Sequence, residues 1–254
     1  MTGDHQHPDT GTPVSDRIYA SPRLTIAGFT FDREVVAVFP DMIKRSVPGY
    51  ETIIAMTGTL AERYVRPGTA VYDLGCSLGA SLLAMGSATA DRPRRLIGVD
   101  NAKAMVDRCR ELLARERLDD VELRCGDIRD TPIADASMVA LNFTLQFVPP
   151  GDREALLARI WAGLNPGGIV VLSEKVAFED AHHNALMIDL HHSFKRANGY
   201  SELEISQKRS ALENVLIPET LAIHRERLRR VGFGSVDVWF QCFNFASLIA
   251  IKPE

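Results

Sequence analysis

Cysteine is scarce in this chain. Cys76, Cys109, Cys125 and Cys242 are scattered over 254 residues with no Cys-x-x-Cys pair, which argues against a zinc motif and against a disulfide framework. Long apolar runs are missing as well, since no stretch approaches the roughly 18 residues that a membrane-spanning helix needs. There is no basic excess: 29 Lys and Arg stand against 33 Asp and Glu, a net charge of −4. That balance is the opposite of a dedicated nucleic-acid surface. The polar N-terminus shows no apolar signal core, so the expectation is a cytoplasmic chain with reduced thiols.

What is present is a strand–helix alternation around residues 70–81. Ala70 to Leu74 is an apolar run with one acid, suited to a strand buried on both faces. Gly75 and Gly79 punctuate a turn before the helix-like stretch from Ser81. Leu96 to Asp100, Val121 to Cys125, Met138 to Leu141 and Ile169 to Leu172 read as further strands, with amphipathic helices between them. Asn165-Pro-Gly-Gly168 reads as a helix stop. Such alternation implies right-handed crossovers and a parallel sheet.

Near the C-terminus, Val236 to Phe245 and Ser247 to Ile251 read as two successive strands. The expected fold is α/β: a mostly parallel seven-stranded sheet with an antiparallel C-terminal strand and a helical insertion at about 176–218. This is the arrangement of Rossmann-like class I methyltransferases. Residues 1–24 are expected to be a disordered polar tail and 25–254 one domain. Pro48-Gly49 marks a turn between two helices that would present Tyr50 at a defined place.

Two ligand classes compete for the glycine loop. A dinucleotide fold would want Gly-x-Gly-x-x-Gly facing a pyrophosphate. Here the run is Asp73-Leu-Gly-Cys-Ser-Leu-Gly79, and a carboxylate before the first glycine repels phosphate but suits an ammonium group. The loop resembles the S-adenosylmethionine (SAM) motif Asp-x-Gly-x-Gly-x-Gly, with Ser77 in place of the middle glycine. Asp100, 25 residues past Gly75, stands where an acid accepts from ribose hydroxyls. Asp127 is placed for an adenine amino group, and Asn142 faces the same crevice. Any one of these acids alone would read as a helix cap. Together with the loop they read as a SAM-like site.

The insertion carries a second candidate. On a helix begun by the capping box Ser201-Glu-Leu-Glu204, Arg209 shares the stripe of Ile205, Leu212 and Leu216, while Lys208 turns toward solvent. A buried guanidinium would need an anion; the alternative is an arginine with its stem on the core and its head in water. His182, His183, His191 and His192 lack acids or cysteines at ligand spacing and read as surface or core residues, so no metal is expected. Lys195 and Arg196 read as a solvated or partner-facing edge.

Several longer stretches resemble the carboxy-S-adenosyl-L-methionine synthase family. They are Phe39-Pro-Asp-Met-Ile-Lys-Arg-Ser-Val-Pro-Gly-Tyr50, Tyr72-Asp-Leu-Gly-Cys-Ser-Leu-Gly79, Leu141-Asn-Phe-Thr-Leu-Gln-Phe147, residues 194–210 and Trp239-Phe-Gln-Cys-Phe-Asn-Phe245. The likeness spans about residues 25–252. It implies an enzyme of methyltransferase fold that does not methylate but turns SAM and prephenate into carboxy-SAM and phenylpyruvate. It further implies a homodimer whose product passes to a tRNA carboxymethyltransferase acting on wobble uridine; the chain's mild acidity disfavours direct nucleic-acid binding. Carried onto this chain, Tyr50, Gly75, Cys76, Ser77, Asp100, Asn101, Asp127, Ile128 and Asn142 would hold SAM. Arg209 would grip the new carboxylate. Lys195, Arg196 and Tyr200 are candidates for prephenate, and an ordinary small-molecule methyltransferase is the alternative activity.

Overall fold

The computed structural model describes residues 14–22 and 28–254. Its frame is a sheet built from β1 (Ala70–Leu74), β2 (Arg95–Asp100), β3 (Val121–Cys125), β4 (Ala136–Asn142), β5 (Leu164–Ala177), β7 (Ser235–Cys242) and β8 (Phe245–Ile251), in the order β3-β2-β1-β4-β5-β8-β7. The pairs from β3 to β5 are parallel, and β8 is antiparallel to both β5 and β7. A two-residue strand, β6 (Glu219–Thr220), pairs with the end of β5. The mostly parallel sheet with an antiparallel C-terminal strand is therefore present as the pattern predicted.

Alternation along the strands sends side chains to opposite faces. Ala70, Tyr72 and Leu74 of β1 join Leu156, Leu157 and Ile160 of α5 (Pro150–Gly163) and Leu228 of α8 (Leu221–Arg230). Val71 joins the other layer, made by α2 (Tyr50–Tyr64), α3 (Ala80–Ala88) and α4 (Lys103–Arg115) through Ala61, Leu82, Met85, Cys109 and Leu113. With both faces covered, β1 is buried at every position. That explains its nearly unbroken apolar run.

The structure differs from the sequence reading at three places. β5 begins at Leu164, not Ile169, because Asn165 to Gly168 is taken up where the β4–β5 register shifts between Ala136 and Met138. The insertion contains α6 (Ala181–Ala197) and α7 (Glu202–Leu212), but α7 stops four residues short of Leu216. Of the expected tail, residues 1–13, 23 and 24 lie outside the described residues, whereas 14–22 are docked. Asp16 and Tyr19 are buried there, and Arg45 of α1 (Arg33–Ser46) donates to the Asp16 carbonyl at 3.3 Å.

That docked stretch corrects the face assigned to α7. Its buried residues are Glu204, Ile205, Gln207, Lys208 and Ala211, a face turned by roughly 90° from the predicted stripe at 100° per residue. Gln207 Nε2 donates to the carbonyls of Tyr19 and Ser21 at 2.9 Å each. Lys208 Nζ donates to Ser46 Oγ at 3.0 Å and lies 3.6 Å from Asp16 Oδ2. Lys208 is thus inside and Arg209 is exposed, the reverse of the expectation, because the anionic partner sits on the Lys208 side.

Candidate functional site

The strand order reverses at β1, which has β2 on one side and β4 on the other. In open α/β sheets the crevice beyond the strand ends at such a point takes the ligand. Two adjoining cavities of about 180 and 320 Å³ open there and share Gly75, Ser77 and Asn142, a size suited to a small molecule. Tyr50 and Cys76 line the first; Asp100, Asn101, Asp127 and Ile128 line the second. Nine of the ten predicted site residues therefore converge. Arg209 is the one that lines neither.

The loop owes its shape to left-handed backbone at three positions, with φ of 85° at Gly75, 49° at Ser77 and 86° at Gly79. A Cβ on Gly75 would collide with the Thr144 side chain. Ser77 adopts the conformation of the glycine it replaces, a strain of roughly 1–3 kcal/mol. Its N–H donates to Asp100 Oδ2 at 2.9 Å, which holds the loop in place. Asp100 Oδ1 accepts from the Ala102 N–H at 2.9 Å. Each oxygen keeps a second acceptor site for a ligand hydroxyl.

Below the loop lies Asp73, buried, with Oδ2 lacking a hydrogen-bond partner among the described residues. Burial, and then the charge of Asp100, push this carboxyl up to about 8. A cation above the loop would restore its charged form, whereas a pyrophosphate would not. The donor set thus fits a sulfonium or ammonium ligand. Tyr50 starts α2 after Gly49, whose φ is 78° and whose Cβ would meet the Phe240 ring. Burial and the Asp73 charge push the Tyr50 phenol up.

Asn142 is oriented by hydroxyls. Its Nδ2 donates to Ser81 Oγ at 3.0 Å, and its Oδ1 accepts from Ser173 Oγ at 2.6 Å. Beyond it Phe143 has φ 63°, and a short 3-10 turn, Leu145–Phe147, follows. Glu174 anchors that turn, accepting from the Leu145 and Gln146 N–H groups at 2.9 Å each. Burial raises Glu174 to about 8, against the Gln146 N–H, the Arg153 charge and the Leu145 N–H.

The sequence reading missed Arg129, which lines the second cavity and clasps Asp127 with Nη2 to Oδ2 at 2.7 Å. That clasp holds the Asp127 carboxyl below its usual range. It also missed Phe31, Thr144 and Phe147 as lining residues. Of these, only the last two had a signal, since they fall in the 141–147 motif. Among the prephenate candidates, Arg196 is exposed and paired with Glu202 at 3.0 Å, and the Tyr200 hydroxyl donates to Asp16 at 2.5 Å. Lys195 is buried, not a solvated edge. His182 and His183 are exposed, His192 is partly buried, and buried His191 pairs Nε2 with the Ser46 carbonyl at 2.8 Å.

Comparison with known proteins bears on the fold and the family. A family model described as a methyltransferase domain matches residues 71–168. A protein of Aliivibrio fischeri named carboxy-S-adenosyl-L-methionine synthase is 59% identical over 238 residues, 93% of this chain and 98% of its own length. Among solved structures, an O-methyltransferase family protein from Burkholderia thailandensis aligns with a TM-score of 0.63 at 17% identity, covering 88% of this chain and 61% of that one. Human N-acetylserotonin methyltransferase, solved in complex with SAM, aligns with a TM-score of 0.60 at 17% identity, covering 87% of this chain and 56% of that one. These two structures are longer than the present chain, which spans under two thirds of each, and the likeness to them shows the class I methyltransferase fold. The near-complete match to the Aliivibrio protein shows more: the chain belongs to the carboxy-S-adenosyl-L-methionine synthase family of enzymes.

Proposed function

We propose that the protein converts SAM and prephenate into carboxy-SAM and phenylpyruvate. The reading is supported, in a member of this family, by a glycine-loop crevice at the strand ends and by the buried Asp73 carboxyl two residues before Gly75, whose Oδ2 lacks a partner among the described residues. Asp100 and Asn101 face the ribose, Asp127 and Ile128 the adenine, and Tyr50, Gly75 to Ser77 and Asn142 the methionine end.

The chemistry needs no side-chain base. Prephenate loses its ring carboxylate as carbon dioxide, and the freed electron pair expels the ring hydroxyl as hydroxide while the ring becomes aromatic. Hydroxide removes a proton from the sulfonium methyl, giving water and a carbon nucleophile. That carbon adds to carbon dioxide, and the new carboxylate stays on the SAM carbon. The protein's part is to hold the reactants together and keep bulk water away from the nucleophile.

Arg209 enters this reading through the family motif, as the guanidinium that grips the new carboxylate. It is exposed, and its charge is felt by Lys175 and His192. Arg209→Ala is expected to leave SAM affinity unchanged and to reduce the preference for carboxy-SAM over SAM by about 10- to 100-fold, the worth of one charge-assisted bond. Isothermal titration with both ligands checks this; equal losses for the two would remove Arg209 from the role. The same reading includes a homodimer, checked by light scattering, and transfer of the product to a tRNA wobble-uridine carboxymethyltransferase. Mass spectrometry after incubation with SAM and prephenate tests the activity, because an ordinary methyltransferase would leave S-adenosylhomocysteine instead.

A further inference from the structure

A third cavity, of about 120 Å³, lies behind the crevice and shares the walls Phe31, Phe143 and Phe147 with it. The aromatic wall continues with Phe245, and the far side carries Lys175 of β5, Lys195 of α6 and Lys208 of α7. Among the described residues, no acid lines this cavity. Lys208 is accounted for, since Ser46 and Asp16 hold its ammonium. Lys175 and Lys195 are different: neither ammonium has a hydrogen-bond acceptor or an ion-pair partner among the described residues. Lys195 is only 7% exposed. His191, on the same wall, also has a buried Nδ1 that lacks a hydrogen-bond partner among the described residues.

Two unpaired cations on an apolar, aromatic surface are costly in the protein itself. Burial, then the Lys208 and Lys175 charges, bring Lys195 down to about 7. Burial, and then Arg209, also lower Lys175. An anion entering between the two would offset both the burial and the mutual repulsion.

We propose that this cavity is the subsite for the second substrate, with Lys175 and Lys195 holding the carboxylate of its pyruvyl arm and the phenylalanine rings enclosing its six-membered ring. The assignment rests on the prephenate reading above. It also fixes an orientation. The ring carboxylate departs as neutral carbon dioxide, so an ammonium paired with it would stabilise the ground state and oppose the reaction. The lysines must therefore hold the carboxylate that the product retains. The rings shared with the crevice then set the reacting end beside the sulfonium methyl.

The test is steady-state kinetics on the full chain with SAM and prephenate. Lys195→Met and Lys175→Met are each expected to raise the KM for prephenate at least about tenfold, with a smaller change in kcat and an unchanged Kd for SAM. Lys195→Arg should recover part of the loss. Inhibition by phenylpyruvate, which keeps the same carboxylate, should weaken in parallel with the KM. Met variants that bind SAM normally and keep a prephenate KM within about twofold of wild type would overturn the subsite. A wild-type protein that binds SAM but forms no carboxy-SAM from prephenate would instead overturn the functional reading, and the subsite with it.

Discussion

Asp73 is a carboxyl whose folded-state pKa, about 8, stands above its ordinary 3.8. A raised folded pKa gives stability that is present below the unfolded value and is lost as pH climbs toward the folded one. Asp73→Asn should therefore gain thermal stability over wild type at pH 8 and show a smaller gain or a loss at pH 4. Glu174 shifts in the same sense, but it is common to both proteins and drops out of the difference. SAM should raise the melting temperature of wild type more than that of the variant, because its cation faces the charged form. Melting curves with and without SAM check both statements; a pH-independent difference would contradict them. At this scale the sequence showed Asp73, Asp100 and Asn142 plainly, since Asp73 is the one acid of an apolar strand and the other two end recognisable strands. It could not show which of Lys208 and Arg209 points inward. Asp16 decides that, 192 positions before Lys208.

Elements near the crevice depend on a buried ion cluster. Arg153 of α5 is fully buried and donates to the carbonyls of Val148 at 2.9 Å and Ile217 at 2.8 Å, with Nη1 2.6 Å from Glu219 Oε2. Arg227 of α8 completes the cluster at 2.6 Å from Glu219 Oε1. The cluster ties the chain after α7 to the end of the 3-10 turn. Arg153→Ala should cost on the order of 3–5 kcal/mol in urea unfolding, because Glu219 loses a buried partner and the carbonyls of Gln146, Val148 and Ile217 lose a donor. A cost under about 1 kcal/mol would mean the cluster relaxes to solvent. The glycine loop makes a sharper demand. Gly75→Ala must relieve both a φ of 85° and a collision with Thr144, so SAM binding should weaken by at least tenfold, about 1.4 kcal/mol. Gly151→Ala, whose Cβ meets nothing within 4 Å, should leave it unchanged. Strand and helix identities were legible because doubly covered strands read as apolar runs. The start of β5 was not, since Asn165 to Gly168 reads as a stop and is absorbed by a register shift. The 3-10 turn was hidden as well, because its anchor is Glu174 on another strand.

Across the whole molecule, the two covered faces of the sheet leave its strand ends as the place for chemistry. The crevice at the β1–β4 switch and the cationic cavity share the walls Phe31, Phe143 and Phe147. No described helix is long and apolar enough to cross a membrane. The central claim is that carbon dioxide from the second substrate is captured on the SAM methyl. Incubation with SAM and prephenate labelled with carbon-13 in the ring carboxylate, followed by mass spectrometry of the nucleoside, tests it most directly. The account predicts a SAM derivative heavier by one labelled carboxylate. An unlabelled product, or S-adenosylhomocysteine alone, would contradict it.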